Sequence, residues 1–356
     1  MDELLIFDLD NTLLAGDSDR NWGIFLSEQK IVDESYLDES ERFYNNYYEG
    51  SLDIDGFLSF CLRPLIANDM AKLLKLREQF IEEKIRPIVT KTGKELINQA
   101  HAEGKKVIVI LNIGGVIETA SWKDKVDAIL LAWQAGQEGG NSVADVFSGV
   151  KNPSGKLTMT FPVDYNNHPS AANFPGFPAH DPKEVFYEEG IYVGYRYFNT
   201  FGVKPSYEFG FGQSYTTFEY ADLKLSTTRF TDELEVSVKV TNTGAVAGKE
   251  VVQVYVAAPA QLADKPSEEL KAFGKTEVLE PGQSETLSFK LTAKDLASFI
   301  DAQSAWVAEK GTYTVKIGAS SLDIQLTEDF TIAEDITAEK VNNAFDLDAD
   351  METLKN

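Results

Sequence analysis

The pattern of apolar and polar positions changes near residue 218, and each part predicts a different architecture. Before that point, short and wholly apolar runs alternate with stretches of helical spacing. After it, apolar and polar residues alternate with a period of two, as in LEVSVKV at residues 234–240. The first pattern is typical of an α/β layer with a parallel sheet, and the second of an antiparallel β-sandwich.

Three apolar runs, at residues 4–9, 105–115 and 126–133, predict strands buried on both faces, as in a parallel sheet. Residues 18–100 are predicted to be mostly helical. The clearest helix starts after an N-cap at Asn68 or Asp69 and carries apolar residues at i, i+3 and i+4 spacing. Another is predicted at 93–104, with Gly104 as its C-terminal glycine. A short helix, GNSVADVFSG, follows the third strand.

Residues 150–216 are rich in Pro, Gly and Asn and predict a long irregular excursion. Loops of this length are usually functional or wrapped over a neighbouring element. The excursion ends in a run of aromatic residues that are either a platform for stacking sugars or anchors that fix the loop to the sandwich. Burial is the favoured interpretation for this set, which consists of Tyr207, Phe209, Phe211 and Tyr215.

The alternating strands after residue 218 predict a sandwich of about 100 residues, of immunoglobulin or fibronectin type. Turn signals at Pro281-Gly282 and Gly311 separate the strands. The last stretch, 327–356, contains many acidic and few aromatic residues, so it is expected to be a loosely held tail.

Charge and cysteine content narrow the classes of partner. The 356 residues carry a net charge of -24, which would repel a nucleic-acid backbone. The single cysteine, Cys61, cannot form a disulfide within the chain and favours a reducing compartment. No apolar run reaches the length of a membrane span, and the first residues are acidic. We therefore expect a cytoplasmic protein with a small-molecule substrate, and neither a nucleic acid nor a membrane as partner.

The opening motif FDLDNTLL places Asp8 and Asp10 on one side of a strand at its carboxyl end, with Thr12 two positions later. Residues 3–108 resemble the haloacid dehalogenase superfamily, in the branch of phosphoserine and histidinol-phosphate phosphatases. The resemblance implies that Asp8 is the nucleophile, that Asp10 is the general acid and base, and that Mg²⁺ binds at this pair. Thr12 and Asn112 are the candidate substrate-binding residues.

The remainder of such a phosphatase site is not matched by the sequence. The resemblance requires Ser or Thr after the second strand, where Leu111-Asn112 stands, and a later Lys and acidic pair that we do not find. Glu138 is either a substitute Mg²⁺ ligand or the cap of the helix that starts near Asn141, and the cap is favoured. We therefore expect weak Mg²⁺ binding and slow or absent phosphatase turnover.

Residues 106–356 resemble the C-terminal part of glycoside hydrolase family 3, of the β-glucosidase type, with its fibronectin type III-like domain. The resemblance is carried by GKLTMTFP, FYEEGIYVGYRYF, SEELKAFGK and GTYTVKIGASSLDI. It implies a retaining glycosidase whose nucleophile and acid/base carboxyl groups lie upstream of the resembling segment. No residue here inherits either role, so we expect a hydrolase by family that is inactive on glycosides.

Together the two resemblances predict a chain that joins pieces of two families near residues 104–109. The fold class is a three-layer, Rossmann-like α/β part with a helical cap, followed by an all-β sandwich. The domains are expected at 1–105, 106–217, 218–333 and 334–356, the last an acidic tail. An Mg²⁺-dependent phosphomonoesterase is the alternative function, and a folded chimera with neither site complete is the favoured physical interpretation.

Five further residues have candidate chemistry that we interpret as structural. The histidines His101, His168 and His180 have no metal-ligand spacing with one another and no serine-hydrolase signature around them. Glu188 and Glu189 are adjacent acids among aromatic residues, where we expect packing between domains.

Overall fold

The computed structural model describes residues 15, 18–88, 95, 103–174, 176–177, 183–342 and 353–356. The chain forms two compact units, the first from residues 1–107 and 173–186 and the second from residues 108–172 and 187–356. None of the helices in this described part is both long and apolar enough to cross a membrane. The strand predicted at residues 4–9 lies outside the described residues.

Residues 18–88 of the first unit are mostly helical, as predicted. Asp33, Asp53 and Asp69 are N-caps whose carboxylates accept a backbone N–H three residues on, which confirms Asp69 as the predicted cap. Gly104 has φ +70°, as a C-terminal glycine requires, but most of the helix predicted before it is outside the described residues. The helices are α1 (Ser18–Glu28), α2 (Glu34–Tyr48), α3 (Ile54–Ile66) and α4 (Met70–Phe80), which continues as a π turn, Ile81–Ile85, and a 3₁₀ turn, Arg86–Ile88.

Two aromatic clusters hold these helices together. Phe25 of α1 packs on Phe80 of α4 with ring centroids 5.5 Å apart, and both rings are buried. Tyr36 of α2 stacks on Phe60 of α3 at 4.2 Å, and the half-buried thiol of Cys61 lies beside this second cluster. Each buried aromatic ring contributes roughly 1.5–3 kcal/mol, so packing accounts for most of the stability of these short helices.

The second unit begins with the predicted parallel strand pair, β1 (Ile108–Leu111) and β2 (Ala128–Leu131), followed by α5 (Gly139–Phe147). The prediction that these strands are buried on both faces is wrong. Ile108 and Ile110 are 40% and 42% exposed. The described residues contribute two strands to this sheet.

The sandwich confirms the period-two prediction. Leu234, Val236, Val238 and Val240 all point into the core and are fully buried. The strands of the sandwich are β3 (Phe218–Leu225), β4 (Arg229–Phe230), β5 (Glu233–Asn242), β6 (Val251–Ala257), β7 (Glu269–Lys275), β8 (Ser284–Thr292), β11 (Gly311–Gly318) and β12 (Ile324–Ile332). One sheet has the order β3-β5-β8, and the other has the order β4-β12-β11-β6-β7.

A small third sheet corrects the prediction of a loose tail from residue 327. It has the order β13-β10-β9, formed by β9 (Ser298–Ile300), β10 (Ala305–Ala308) and β13 (Ile336–Lys340). In β12 the exposed acidic residues Glu328 and Asp329 are followed by Phe330 and Ile332, which are buried in the core, so a high acid content does not prevent pairing. The last described residues are also held, because Leu354 N–H donates to the Glu188 carbonyl at 2.7 Å.

Candidate functional site at the carboxyl edge of the strand pair

The carboxyl ends of β1 and β2 meet at one edge of the sheet, because the strands are parallel and in register. Leu111 is opposite Leu131, and the N–H of Ala132 donates to the Leu111 carbonyl at 2.9 Å. The chain then leaves the sheet at Asn112 and at Trp133. Ligands of open α/β sheets bind at this edge, so it is the geometric candidate for a site.

Two amide side chains are present at this edge. Asn112 is exposed, and a Cβ at Gly114 would stand 2.7 Å from Nε2 of Gln134. The Gln134 amide therefore lies against the backbone at Gly114. Amides donate and accept hydrogen bonds but do not transfer protons near neutral pH. Asn112 and Gln134 are thus suited to binding hydroxyl groups and not to acid–base catalysis.

Trp133 adopts a backbone conformation that the sequence does not predict. Its φ of 53° is in the left-handed region, which costs a non-glycine residue about 1–3 kcal/mol. The ring of Trp133 packs on buried Phe161 at 6.2 Å, and the N–H of Phe161 donates to the Tyr207 carbonyl at 2.8 Å. Packing against the excursion therefore holds Trp133 at the edge.

Glu138 occupies the N-cap position of α5, as the favoured interpretation expects, although its side chain makes no capping hydrogen bond to the backbone of the helix. Its Oε2 accepts a hydrogen bond from Nδ2 of Asn141 at 2.6 Å, and its carbonyl accepts from the N–H of Ser142 at 2.9 Å. The carboxylate therefore contacts the first turn of the helix through the Asn141 side chain. Its negative charge lies at the N-terminus of the helix, where the helix dipole is favourable for an anion.

Of the aromatic run, Phe209 anchors the excursion to the sandwich, which confirms the favoured interpretation for that residue. Phe209 stacks on Tyr195 at 4.8 Å, and Tyr195 packs edge-on against buried Tyr255 of β6 at 5.8 Å. Tyr195 belongs to α6 (Tyr195–Thr200). Tyr207 and Phe211 pack on each other at 5.2 Å. Tyr215 is half exposed, but its hydroxyl donates to a carbonyl of α5 at 2.9 Å.

Polar contacts fix the same excursion from the other side. Lys123 donates through Nζ to the Ser206 carbonyl at 2.7 Å and lies 4.6 Å from the centre of the Tyr207 ring. Asn152 accepts from the Tyr215 N–H at 2.8 Å and donates to the Ala247 carbonyl at 3.0 Å. The region after β1, the excursion and the sandwich are therefore cross-linked by hydrogen bonds that each join a side chain to a backbone group.

The acidic pair of the excursion has a structural environment. Glu189 is 8% exposed, and its Oε2 has no hydrogen-bond partner among the described residues. Its carbonyl accepts from the N–H of Tyr192 at 3.0 Å, and the Tyr192 hydroxyl donates to Oδ2 of Asp264 in the sandwich at 2.6 Å. Burial, together with that hydrogen bond, raises the pKa of Tyr192. The Glu188–Tyr192 turn is therefore held against the loop that carries Asp264.

His168 is enclosed by aromatic rings, with Tyr165 and Phe198 both at 6.1 Å and both edge-on. Burial lowers the pKa of this imidazole, because the charged form is poorly solvated there. The residue is therefore a packed loop histidine, consistent with its predicted role.

Several predicted site residues cannot be placed. Asp8, Asp10 and Thr12, with His101 and His180, lie outside the described residues. Among the residues that are described, no group of three or more His, Cys, Asp or Glu side chains could hold a metal ion.

One ion pair has no signal in the sequence. Nζ of Lys265 lies 2.7 Å from Oε1 of Glu309, and both side chains are almost fully buried. Oε2 of Glu309 accepts from the N–H groups of Gln261 and Leu262 at 2.8 and 2.9 Å. The carboxylate therefore organises the loop that precedes Asp264. The two residues are far apart in sequence, so their spacing gave no indication of the pair.

Comparison with protein families gives two matches. Residues 83–195 match the glycosyl hydrolase family 3 C-terminal domain, and residues 250–321 match the fibronectin type III-like domain. The first match starts upstream of the boundary predicted at residue 106. It includes the end of the segment that was predicted to belong to the phosphatase superfamily, for which the comparisons give no support.

The relatives are β-glucosidases and similar enzymes. The chain is 40% identical over 251 residues to thermostable beta-glucosidase B of Acetivibrio thermocellus, covering 69% of this chain and 33% of that protein. It is 39% identical over 232 residues to an exo-alpha-(1->6)-L-arabinopyranosidase of Bifidobacterium breve, covering 65% and 30%. Beta-glucosidase 3B from Thermotoga neapolitana, solved with alpha-D-glucose, matches with a TM-score of 0.65 and 52% identity, covering 70% of this chain and 34% of that one.

The chain thus spans about a third of the length of the relatives it matches. Within that third, the chain is similar to the glycosyl hydrolase family 3 C-terminal domain and to the fibronectin type III-like domain.

Proposed function

We propose that residues 106–356 are the C-terminal scaffold of a β-glucosidase-like hydrolase that acts on small glycosides. The observation that carries the proposal is the match to beta-glucosidase 3B, at 52% identity over 70% of this chain. The names of the relatives specify glucosides and arabinopyranosides, so a pyranoside is the proposed substrate class.

The packing of the second unit is compatible with a scaffold. The excursion is fixed to the sandwich by the stacked rings of Phe209 and Tyr195 and by the Tyr192–Asp264 hydrogen bond. The amides of Asn112 and Gln134 lie at the carboxyl edge of the strand pair, where they are suited to bind sugar hydroxyls. In such a scaffold the described residues orient a substrate and exclude water, and the proton transfers are performed by other groups.

The chain alone is proposed to be inactive on glycosides. A retaining glycosidase requires two carboxyl groups about 5–5.5 Å apart, one as nucleophile and one as acid/base. The resemblance places both in segments for which no counterpart is identified in this sequence. Without them, hydrolysis should lose many orders of magnitude in rate, because the binding groups that remain do not perform the covalent step.

The proposal is tested with the purified 356-residue chain on p-nitrophenyl β-glucoside and p-nitrophenyl α-L-arabinopyranoside. We expect rates indistinguishable from buffer. Turnover that co-purifies with the chain to homogeneity and follows its concentration would show that a complete glycosidase site is present. Circular dichroism on the same sample establishes that the chain is folded, so a silent assay is not an effect of denaturation.

A further inference from the structure

The small sheet β13-β10-β9 presents an exposed row of side chains that the packing of the core does not account for. Phe299 of β9 is directly opposite Trp306 of β10, and Trp306 is directly opposite Glu339 of β13. Side chains directly opposite one another on adjacent strands point to the same face, so the three form one row across the sheet. Phe299 and Trp306 are 38% and 40% exposed.

The row forms a shallow aromatic platform with charged groups at its border. The two aromatic rings lie 5.6 Å apart and are tilted by 59° to each other. Oε2 of Glu339 is held 2.8 Å from Nζ of Lys294, which comes from α7 (Ala293–Leu296). The platform is therefore bordered by a carboxylate and an ammonium group, which remain accessible, with 46% and 73% of their side chains exposed.

The backbone around Trp306 is irregular in two places. The pairing of β10 with β13 shifts register between Trp306 and Val307, so that one residue of β13 is left unpaired in a β-bulge. Ser304, in the turn that joins β9 to β10, has φ 45° in the left-handed region. Bulges change the direction of side chains and are frequent beside functional sites. Here the bulge adjoins the one residue of β10 that is exposed, while Ala305, Val307 and Ala308 are buried.

We propose that Phe299, Trp306, Glu339 and Lys294 form an accessory carbohydrate-binding site on the fibronectin type III-like domain. The choice of ligand rests on the proposed function on glycosides. A β-linked glucose unit presents a flat apolar face of C–H groups and a rim of equatorial hydroxyls. The ring of Trp306 fits the apolar face, the edge of Phe299 limits its lateral position, and Glu339 and Lys294 accept from and donate to the hydroxyls.

The chemistry favours a sugar over a protein surface. A protein hot spot is a desolvated pocket surrounded by contacts that exclude water, whereas this row is a shallow face with a solvated ion pair at its border. It also differs from the aromatic run of the excursion, in which Phe209 stacks on Tyr195, and Tyr195 packs against Tyr255 of the sandwich. The platform is thus an exposed, ordered aromatic surface with hydrogen-bonding groups at a fixed position.

The test is calorimetric titration of the full 356-residue chain with cellohexaose, comparing the wild type with Trp306→Ala, Trp306→Phe and Phe273→Ala. Phe273 of β7 is 71% exposed and is the matched control for non-specific apolar adhesion. We expect binding by the wild type, a loss of at least about tenfold in affinity for Trp306→Ala, a smaller loss for Trp306→Phe, and no change for Phe273→Ala. Thermal unfolding of each variant verifies that the sandwich is intact.

Three outcomes would overturn the proposal: no heat from the wild type at millimolar sugar, wild-type affinity in Trp306→Ala, or an equal loss in Phe273→Ala. The titration requires no hydrolysis. A chain that binds cellohexaose but gives no active enzyme when residues 106–356 replace the matching part of a β-glucosidase would therefore refute the proposed function and leave the platform standing. An active hybrid enzyme that does not bind cellohexaose at the platform would refute the platform alone.

Discussion

Removing the cation of the buried Lys265–Glu309 pair should destabilise the sandwich more than any surface substitution. Both side chains are at most 3% exposed, and the carboxylate also accepts the N–H groups of Gln261 and Leu262. Lys265→Met retains most of the aliphatic stem but leaves a buried negative charge without its counter-ion. Breaking a buried pair in this way typically costs about 3–5 kcal/mol, whereas an exposed pair contributes about 0–1 kcal/mol.

The assay is urea unfolding of the full chain, followed by circular dichroism in the β-sheet region. With a slope of about 2 kcal/mol per molar urea, a loss of about 4 kcal/mol lowers the midpoint by about 2 M. Lys294→Met, which breaks the exposed pair with Glu339, is the matched control and should lower the midpoint by about 0.5 M or less.

A double variant separates charge from packing. In the double variant Lys265→Met with Glu309→Gln both side chains are uncharged, and the glutamine carbonyl can still accept hydrogen bonds from the two backbone N–H groups. We therefore expect the double variant to recover much of the stability lost by either single variant. If Lys265→Met unfolds at the same midpoint as Lys294→Met, the pair is solvated and the account of the loop that carries Asp264 is wrong. If the urea midpoint of the double variant stays as low as that of Lys265→Met, the lost stability comes from packing and not from the uncompensated charge.

Three further predictions follow from the structure and the sequence. Residues 218–342, expressed alone, should unfold cooperatively with β-type circular dichroism, because both sandwich sheets and the small sheet are complete within them; an insoluble or molten product would contradict this. Below pH 6.5 the free energy of unfolding should fall more in the wild type than in His168→Gln. The reason is that burial makes the pKa of His168 lower in the folded chain than in the unfolded chain, so the unfolded chain binds the proton first as the pH falls. If the urea midpoints of the two proteins fall by the same amount between about pH 7.5 and pH 5.5, the predicted direction is wrong. Hydrolysis of p-nitrophenyl phosphate with Mg²⁺ should be slow or absent, and a Mg²⁺-dependent rate that Asp8→Asn abolishes would show that the predicted phosphatase pair is functional.

The sequence predicted those parts of the fold in which one residue pattern has one physical solution. Alternation from Leu234 to Val240 can bury its apolar side only as a strand, and Asp69 before an apolar helical run is a typical cap. The parallel pair β1–β2 followed in the same way from two apolar runs separated by a crossover connection. The relationship to β-glucosidases was likewise accessible, because several motifs occur in order.

Other features depend on long-range packing and have no local signal. The exposure of Ile108 and Ile110 depends on which elements cover the sheet, and an apolar strand has the same sequence whether or not it is covered. The left-handed backbone of Trp133 is imposed by contacts with the excursion. The acidic residues of β12 and β13 suggested a loose tail, because composition does not show that Phe330 and Ile332 face the core.

The central claim is that residues 106–356 serve as the C-terminal scaffold of a β-glucosidase-like enzyme. The most direct measurement replaces the matching third of thermostable beta-glucosidase B from Acetivibrio thermocellus with residues 106–356 of this chain. The rate of p-nitrophenyl β-glucoside hydrolysis by the purified hybrid is then compared with the rate of the 356-residue chain alone. The account predicts that the folded hybrid turns over the glucoside well above background and that the chain alone does not. A folded hybrid with no activity, or a chain alone that matches the hybrid, would contradict it.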